Sequence, residues 1–377
     1  MLERRLLRHI DWYLVGLVSL LVAVGMLAIF SATHRGLPGI RVGPYYFLIR
    51  QAAAAVVGVI LAGLALMVDY RRLADWARPL YAGAVVALLF VLVTEAISGA
   101  SSWIRLGSLS IQPSEPAKLV LIIVLARYLE AHPPEGRWRD LWVPFLITGL
   151  LLLLLLLQPD FGTAIVFVGI LFGMLFVAGA NPVHLAVVAG SGIGLMVLAA
   201  YLVLHGVDLK LIHDYQIRRL LVFLNPYQDA TGDGYNVIQS MIAVGSGGLT
   251  GKGLFSGSQT QLSFLPARHT DFIFSVVGEE LGFIGATSVL VLFFLLLWRA
   301  VQVMQMAKDV FGLLICAGIV SMLTVHLLVN VGMTVGLMPV TGIPLPFLSY
   351  GGSSLVTNLV AVALLLNVEM RRHKILF

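Results

Sequence analysis

The chain has 377 residues, of which 59% are hydrophobic and only 11% are charged, and its mean hydropathy is +0.97. Soluble domains carry about 25% charged residues, so this composition excludes an ordinary soluble protein. The formal net charge is +5, but the Lys and Arg residues lie in loops between apolar segments, which indicates membrane topology rather than nucleic-acid binding. The single cysteine, Cys316, cannot form a disulfide within the chain.

Long uncharged segments predict transmembrane helices, because each crossing needs about 20 mostly apolar residues. The first segment exceeds the apolar core of a cleaved signal peptide, so we expect it to be a retained span. Two long runs are divided at turn signals, one at Gly179–Pro182 and one at Pro339–Pro346. The ten predicted spans are residues 12–32, 47–68, 77–97, 112–131, 141–158, 162–180, 183–205, 272–298, 309–337 and 351–369.

The basic residues predict the orientation of these spans, since short cytoplasmic loops carry an excess of Lys and Arg. With ten spans, the basic clusters at both termini and in the second, fourth and eighth loops all fall on one side. That side is predicted to be cytoplasmic, with both termini inside. The clusters comprise Arg4, Arg5, Arg8, Arg71, Arg72, Arg78, Arg127, Arg137, Arg139, Arg299, Lys308, Arg371, Arg372 and Lys374.

One predicted outward loop, at about residues 206–270 between the seventh and eighth spans, is far longer than the others. It combines charged residues with Gly-rich, amphipathic stretches such as YNVIQSMIAVGSGG. Its apolar content argues against disorder, and a loop of this length that is not disordered is usually functional. We therefore expect short interfacial helices here, within an all-α polytopic membrane protein whose residues 1–377 form a single transmembrane domain.

Two predicted helix starts carry polar residues near the outer surface. In QPSEPAK, Ser114 is expected to cap a helix with Pro116 in its first turn. Glu115 and Lys118 are three residues apart, so they share a helix face and can form an ion pair. In QPDFGTA, Asp160 is also interpreted as a helix cap.

The segment LPARHTDFIF marks the point where the long loop re-enters the membrane. Asp271 there needs no explanation beyond a helix cap, but Arg268–Asp271 is an unusual concentration of polar residues at a membrane surface. Glu279 and Glu280 lie two turns deeper, where carboxylates need partners. We expect both to belong to an interhelical hydrogen-bond network.

A fourth cluster, from Pro339 to Ser354, predicts an irregular outward loop because of its Pro and Gly content. Its Gly351-Gly352-Ser353-Ser354 sequence opens a helix and could offer backbone N–H groups to a phosphate. Most Gly/Ser loops bind nothing, so this motif alone is a weak indication. P-loop, HExxH, GxSxG and CxxC motifs are absent from the sequence.

Taken together and in this order, six segments closely resemble the SEDS family of bacterial cell-wall polymerases, over nearly the whole chain. They are WIRLGSLSIQPSEPAK, QPDFGTA, YQIRRLLVFLNP, GYNVIQSMIAVGSGGLTGKGL, LPARHTDFIFSVVGEELG and PLPFLSYGGSS. The resemblance implies ten transmembrane helices with a large outer loop between helices 7 and 8. It also implies an enzyme that joins the disaccharide units of lipid II into glycan strands at the outer face of the cytoplasmic membrane.

Within the family, the chain is more similar to the RodA (elongation) branch than to the FtsW (division) branch. The Arg268-His269 pair and the stretches FLNP, GYNVIQS and SGSQTQLSFLP are the reasons. One departure is Ala267, where Glu is common in that branch; it bears on the branch and leaves the chemistry untouched. RodA-type proteins act with a class B penicillin-binding protein, a transpeptidase, and the family suggests spans eight and nine as its contact.

The family's essential residue is the aspartate of its HTDF motif, which corresponds to Asp271. An α-linked lipid pyrophosphate donor and a β-1,4 product require inversion, so a single displacement needs a base near the acceptor 4-hydroxyl. Asp271 suits that role, although a helix N-terminus would lower its basicity and burial would raise it. Alternatively, Asp271 holds a divalent cation, Mg or Mn, for which Asp160 is a second candidate ligand.

Positive charge is also needed near the departing pyrophosphate. Arg219 and Lys118 are favoured because both stand in family motifs, with Glu115 orienting Lys118, and Lys252 and Arg105 are further candidates. The remaining predicted substrate contacts are Gln239, Ser240, His269, Thr270 and Ser349.

Two rival functions fit parts of the sequence. Intramembrane Glu and Lys residues and broken helices also suit a lipid II flippase. A flippase needs a polar path to the cytoplasmic side, whereas the clusters here border outward loops. A pure scaffold for another enzyme is the third possibility, and it leaves the surroundings of Asp271 unexplained.

Overall fold

The computed structural model describes residues 9–36, 42–93, 103–106, 109–158, 160–204, 219, 222–229, 232 and 234–372. Long helices dominate this part of the chain. In chain order they are α1 (Trp12–Thr33), α2 (Tyr46–Met67), α3 (Leu73–Val93), α4 (Ser114–Ala131), α5 (Arg139–Leu157), α6 (Phe161–Val177), α7 (Pro182–Leu204), α10 (Ile273–Gln305), α11 (Val310–Thr334) and α12 (Gly352–Met370).

The shorter elements lie between these helices. A two-stranded antiparallel hairpin, β1 (Ile104–Leu106) with β2 (Leu109–Ile111), precedes α4. The long loop contains α8 (Tyr235–Ser246), the single turn α9 (Ser258–Gln261) and a 3₁₀ turn at Pro226–Asp229. Short helices were predicted here, and they are present; much of 205–233 lies outside the described residues.

The helices match a multi-pass membrane protein. Eight of those described are long and apolar enough to cross a bilayer: α1, α2, α3 with its preceding 3₁₀ turn Tyr70–Arg72, α5, α7, α10, α11 and α12. Each predicted span coincides with a helix, but α6 has only 17 residues and α4 carries charged side chains. The count of ten crossings therefore stays a prediction.

The two predicted breaks within long apolar runs are confirmed. α6 ends at Val177 and α7 begins at Pro182, so the turn between them comprises residues 178–181. The Pro- and Gly-rich loop separates α11, which ends at Thr334, from α12, which begins at Gly352. Both breaks follow from residues that cannot continue a helix without losing hydrogen bonds or gaining strain.

α10 is broken within the membrane-spanning run, at Gly282, whose φ of 67° is left-handed. The Gly-rich segment 247–253 lies against the break and replaces the missing helical bonds. Lys252 and Gly253 donate their backbone N–H groups to the Glu279 and Glu280 carbonyls, each at 3.0 Å, and Phe283 N donates to Gly248 O at 2.8 Å. Glycine is needed where the two backbones approach each other this closely. A Cβ on Gly251 would lie only 2.2 Å from the backbone carbonyl oxygen of Glu280.

α11 and α12 form the interior of the molecule. α11 packs against α4, α6 and α10, and α12 packs mainly against α2. They are the most buried of the membrane-length helices, whereas α7 is the most exposed. Side chains on α11 are therefore placed to connect groups from several distant parts of the sequence.

Candidate active site

Asp271 lies just before α10, at the end of the long loop. The capping position of α10 is Phe272, with no side-chain cap, so the interpretation of Asp271 as a helix cap is wrong. Its backbone oxygen accepts a 2.8 Å hydrogen bond from Asn330 Nδ2. Its carboxyl group faces Gly342, where a Cβ atom would lie 3.5 Å from Oδ2. The carboxyl is thus not consumed as a structural cap.

The surroundings of Asp271 make its carboxylate more basic than usual. Burial raises the pKa of Asp271 to about 6, against the opposing effects of the Arg219 charge and a hydrogen bond from Thr270. Burial, which was expected from the sequence to raise this pKa, outweighs both the Arg219 charge and the Thr270 hydrogen bond. At neutral pH the group is ionised yet ready to accept a proton, as a general base requires.

His269 is a neutral ring in this site rather than a cation. Burial and the neighbouring charge of Arg268 lower its pKa to about 4. The ring packs against Phe47 and Tyr350, with centroids at 5.0 and 5.6 Å. Within the described residues its buried Nδ1 has no hydrogen-bond partner, so His269 keeps the capacity for one polar contact.

Arg268 and Ser349 hold the framework around Asp271. The buried Arg268 guanidinium donates to Ala32 O at 2.7 Å and Gly36 O at 3.0 Å, satisfying carbonyls at the end of α1. Ser349 Oγ donates to Thr270 O at 2.6 Å and accepts from Leu345 N at 2.8 Å. Ser349 was predicted as a substrate contact; its hydroxyl instead joins the two loops.

Lys118 lies in a buried polar cluster together with Glu115 and His326. Its Nζ is 2.9 Å from Glu115 Oε1 and 3.0 Å from His326 Nε2. All three residues are at most 2% exposed. The predicted Glu115–Lys118 pair is present, while sequence reasoning missed His326, although a histidine inside an apolar span is itself a signal.

Asp160 caps α6, as one interpretation of the sequence expected. Oδ1 accepts from Thr163 N at 3.1 Å, and Oδ2 accepts from Gln112 Nε2 at 3.0 Å and Ser114 Oγ at 3.1 Å. Ser114 was expected to cap α4, but Pro113 occupies that position and the Ser114 hydroxyl turns to Asp160. The Asp160 oxygens are engaged by donors, so its interpretation as a metal ligand does not fit.

A divalent cation at Asp271 stays a prediction from the sequence. Among the described residues, no group of three His, Cys, Asp or Glu side chains could hold a metal ion. The charged neighbour that acts on Asp271 is the cation Arg219, not a second carboxylate. We therefore derive no step that depends on a metal.

Lys252 and Ser240, also predicted as substrate contacts, take part in structural bonds. Lys252 Nζ pairs with Glu279 Oε1 at 2.9 Å and donates to Ser258 Oγ at 2.8 Å. Ser240 Oγ is 2.6 Å from Ser275 Oγ and donates to Thr334 O at 2.8 Å. Gln239 is partly exposed on α8, and for Arg105 only the backbone, paired with Ser110, is described.

The deep glutamates and the Gly-Gly-Ser-Ser motif also have structural partners. Glu279 accepts from the backbone N–H groups of Gln259 and Thr260, and Glu280 accepts from Ser31 Oγ on α1. The expected hydrogen-bond network is therefore present. Gly351 N donates to Gln51 Oε1 at 3.2 Å, so this N–H is not available to a phosphate.

Comparison with known proteins adds an independent line of evidence. Residues 11–374 match the FtsW/RodA/SpoVE family model, described as "Cell cycle protein". The chain is 40% identical to Stage V sporulation protein E of Bacillus subtilis, over 95% of this chain and 96% of that protein. It is 39% identical to a probable peptidoglycan glycosyltransferase FtsW of Geobacter metallireducens (97% and 96% covered) and 33% identical to the peptidoglycan glycosyltransferase MrdB of Escherichia coli (97% and 94% covered).

Solved structures agree with the sequence relatives. A chain of a peptidoglycan synthase complex, described as coordinating polymerization and crosslinking, superposes with a TM-score of 0.81 at 36% identity, covering 97% of this chain and 99% of that one. The rod shape determining protein RodA of Thermus thermophilus superposes with a TM-score of 0.71 at 35% identity, covering 97% and 98%.

Proposed function

The chain belongs to the FtsW/RodA/SpoVE (SEDS) family, and on that premise we propose that it is a peptidoglycan glycosyltransferase that polymerises lipid II into β-1,4-linked glycan strands. Relatives matched along nearly their whole length carry the name peptidoglycan glycosyltransferase. The observation that carries the proposal is the carboxylate of Asp271. The pKa of this carboxylate is raised to about 6 beside the cation Arg219, and Asp271 does not occupy the capping position of α10.

The proposed reaction is a single displacement. Asp271 accepts the proton of the acceptor's 4-hydroxyl as that oxygen attacks the anomeric carbon of the donor. The bond from this carbon to the pyrophosphate oxygen breaks, and the lipid pyrophosphate leaves with the electron pair, so the α-linkage becomes β. A positioned base of this kind contributes about 10²–10⁴-fold to the rate.

Arg219 is the proposed contact for the leaving pyrophosphate. Its charge acts on the Asp271 carboxyl, and its Nη1 lies 3.4 Å from Thr341 O in the adjacent loop. Lys118 is fully buried between Glu115 and His326, so we assign it to organising this region from within the helices. His269 and Thr270, which immediately precede Asp271 in the sequence, remain proposed substrate contacts.

We further propose ten crossings with both termini in the cytoplasm and Asp271 at the outer face of the cytoplasmic membrane. The distribution of Lys and Arg among the loops supports this orientation. A role in cell elongation and a class B penicillin-binding protein as partner are part of the same proposal. They are supported by the Arg268-His269 signature and by the likeness to RodA and to a synthase complex.

A lipid II flippase is less compatible with the interior of the described helices. Along α11, the inward side chains between Asp309 and His326 are apolar and fully buried, among them Leu314, Ile319 and Met322. A polar headgroup crossing this layer would lose its hydration without gaining partners. Polymerisation at one surface needs no such path.

Two assays on the purified chain with its transpeptidase partner separate these functions. Polymerisation of lipid II in detergent, in the presence of moenomycin, should yield glycan strands, since that antibiotic blocks the unrelated peripheral glycosyltransferases. Proteoliposomes carrying fluorescent lipid II should show no flipping above protein-free vesicles. Flipping without polymerisation would overturn the proposed function.

A further inference from the structure

α11 presents a stripe of three buried polar residues toward the candidate site. His326, Asn330 and Thr334 are spaced four apart, so they lie on one face of the helix. They are 1%, 0% and 0% exposed. Polar side chains at such depth in a membrane helix are costly unless they serve a specific contact.

The contacts of His326 define its tautomer. Lys118 Nζ, paired with Glu115, can only donate, so His326 Nε2 accepts at 3.0 Å. The remaining ring proton is then on Nδ1, which donates to Pro344 O at 3.1 Å. A single neutral ring therefore joins the ammonium group of α4 to the loop that follows α11.

Asn330, one turn further along α11, uses both of its amide hydrogens at the same place. Nδ2 donates to Asp271 O at 2.8 Å and to Ile343 O at 2.7 Å. Asn330 therefore ties the backbone of Asp271, the proposed base, to Ile343. The next residue, Pro344, is the one that His326 contacts. Neither side chain was among the site residues predicted from the sequence.

The short segment Thr341–Pro344 is where these contacts converge. Its carbonyls are held in turn: Thr341 O by Arg219, Ile343 O by Asn330, and Pro344 O by His326. Three proposed site residues far apart in sequence, Lys118, Arg219 and Asp271, are therefore connected to one four-residue segment.

We propose that His326 and Asn330 are positioning residues that, through the Thr341–Pro344 segment, hold Asp271 in register with Lys118 and Arg219 for glycan transfer. The inference rests on the proposed function and deepens it. Neither side chain needs to touch substrate, because each acts on the placement of another residue. Misplacement of a reacting group by about 1 Å costs up to about 10²-fold in rate, so kcat is the sensitive quantity.

The test compares His326→Leu, His326→Gln, Asn330→Leu and Asn330→Asp in the full chain with its partner. Glutamine keeps one acceptor for Lys118 and one donor for Pro344 O, whereas leucine keeps neither. Asn330→Asp retains the size of the side chain but replaces both donated hydrogens with a carboxylate. The matched control is Asn358→Leu on α12. Asn358 is equally buried, and within the part of the chain that the structure describes it donates only to Ser354, in its own helix.

We expect His326→Leu, Asn330→Leu and Asn330→Asp to lower kcat for lipid II polymerisation about 10- to 100-fold, with KM changed less than about threefold. His326→Gln and Asn358→Leu should stay within about threefold of the unsubstituted chain. If the leucine variants fail to fold, Asn330→Asp still tests the inference. Its kcat should fall about 10- to 100-fold, whereas the kcat of His326→Gln should not.

Rates for His326→Leu, Asn330→Leu and Asn330→Asp equal to that of Asn358→Leu would overturn this inference alone. The inference is also overturned if His326→Gln is as slow as a folded His326→Leu. Retaining hydrogen bonds to Lys118 and Pro344 would then have no effect on the rate. A chain that does not polymerise lipid II even without substitution overturns the proposed function, and this inference with it.

Discussion

Asp271 is the residue at which burial and charge act in opposite directions on one carboxyl group. Burial raises its pKa, Arg219 lowers it, and the resulting value is about 6. The neighbouring His269 has a pKa of about 4 and stays neutral across the same range. The pH dependence of the reaction near 6 is therefore expected to report Asp271 itself.

Polymerisation should lose rate as the pH falls through about 6, because the protonated carboxyl cannot act as a base. The quantity to measure is kcat/KM, which reports ionisations of the free enzyme. Replacing Arg219 with Gln removes a charge that favours the carboxylate, so the midpoint should move to higher pH. A profile that is flat from pH 5 to 7, or an Arg219→Gln midpoint below the wild-type value, would contradict this assignment.

The same carboxyl group should lower the stability of the folded protein at neutral pH. A pKa raised from 3.8 to about 6 means that ionised Asp271 is less favourable in the fold than in the unfolded chain. This cost is absent below pH 3.8, grows as the pH rises to about 6, and is then on the order of 1–3 kcal/mol. Asp271→Asn should therefore raise the midpoint of thermal unfolding in detergent at pH 7.5, and by less at pH 5; a lower midpoint at pH 7.5 would oppose it.

Some of the site could be predicted from the sequence. The spacing of Glu115 and Lys118 indicated their ion pair, and the polar sequence before α10 together with the family resemblance indicated Asp271. The roles of Ser349, Ser240 and Lys252 could not be predicted, because a polar residue in a motif gives no indication of which backbone group it meets. His326 and Asn330 were missed for the same reason: their partners lie in other helices and loops.

At the scale of elements, α10 is two helices whose junction is completed by another segment. A side chain at Gly282 would place its Cβ 2.2 Å from Gly251 N, at a φ that favours glycine. The positions of the helices followed from hydropathy, since apolar runs and turn residues are local signals. The break at Gly282 could not be predicted from hydropathy, because its hydrogen-bond partners lie some 30 residues earlier in the chain.

Gly282→Ala should therefore destabilise the protein by about 2 kcal/mol or more, since both the backbone angle and the clash oppose it. Gly149→Ala in α5 is the matched control, because a Cβ there meets nothing within 4 Å and alanine favours a helix. Thermal unfolding of both variants in detergent measures the difference. Equal unfolding midpoints for the two variants would contradict this prediction, because segment 247–253 would then accommodate the added Cβ without strain.

At the scale of the whole molecule, the end opposite Asp271 is tied together by ion pairs. Arg299 near the end of α10 contacts Asp11 at the start of α1 and, at 2.8 Å, Glu369 at the end of α12. Asp309 accepts from Tyr70 Oη at 2.6 Å and Arg71 Nε at 2.9 Å. The proposed topology puts this paired surface in the cytoplasm and the loops around Asp271 outside.

Cysteine labelling tests that orientation, because the only cysteine, Cys316, is fully buried. Ser256→Cys, in the long loop, should react with a membrane-impermeant maleimide added to intact spheroplasts. Lys308→Cys, between α10 and α11, should react only after permeabilisation, and the unsubstituted chain should give the background. The reverse pattern would contradict the predicted topology.

A single substitution separates the base chemistry proposed for Asp271 from its place in the fold. Asp271→Asn keeps the size of the side chain and removes the basic carboxylate, while Asp75→Asn makes the same change at an exposed position near the start of α3. Both variants, purified with the proposed transpeptidase partner, would be assayed for lipid II polymerisation in detergent. Asp271→Asn should lose at least about 100-fold in polymerisation rate while remaining folded and partner-bound, and Asp75→Asn should polymerise normally. A folded Asp271→Asn variant that polymerises at the wild-type rate would contradict the base chemistry proposed for Asp271.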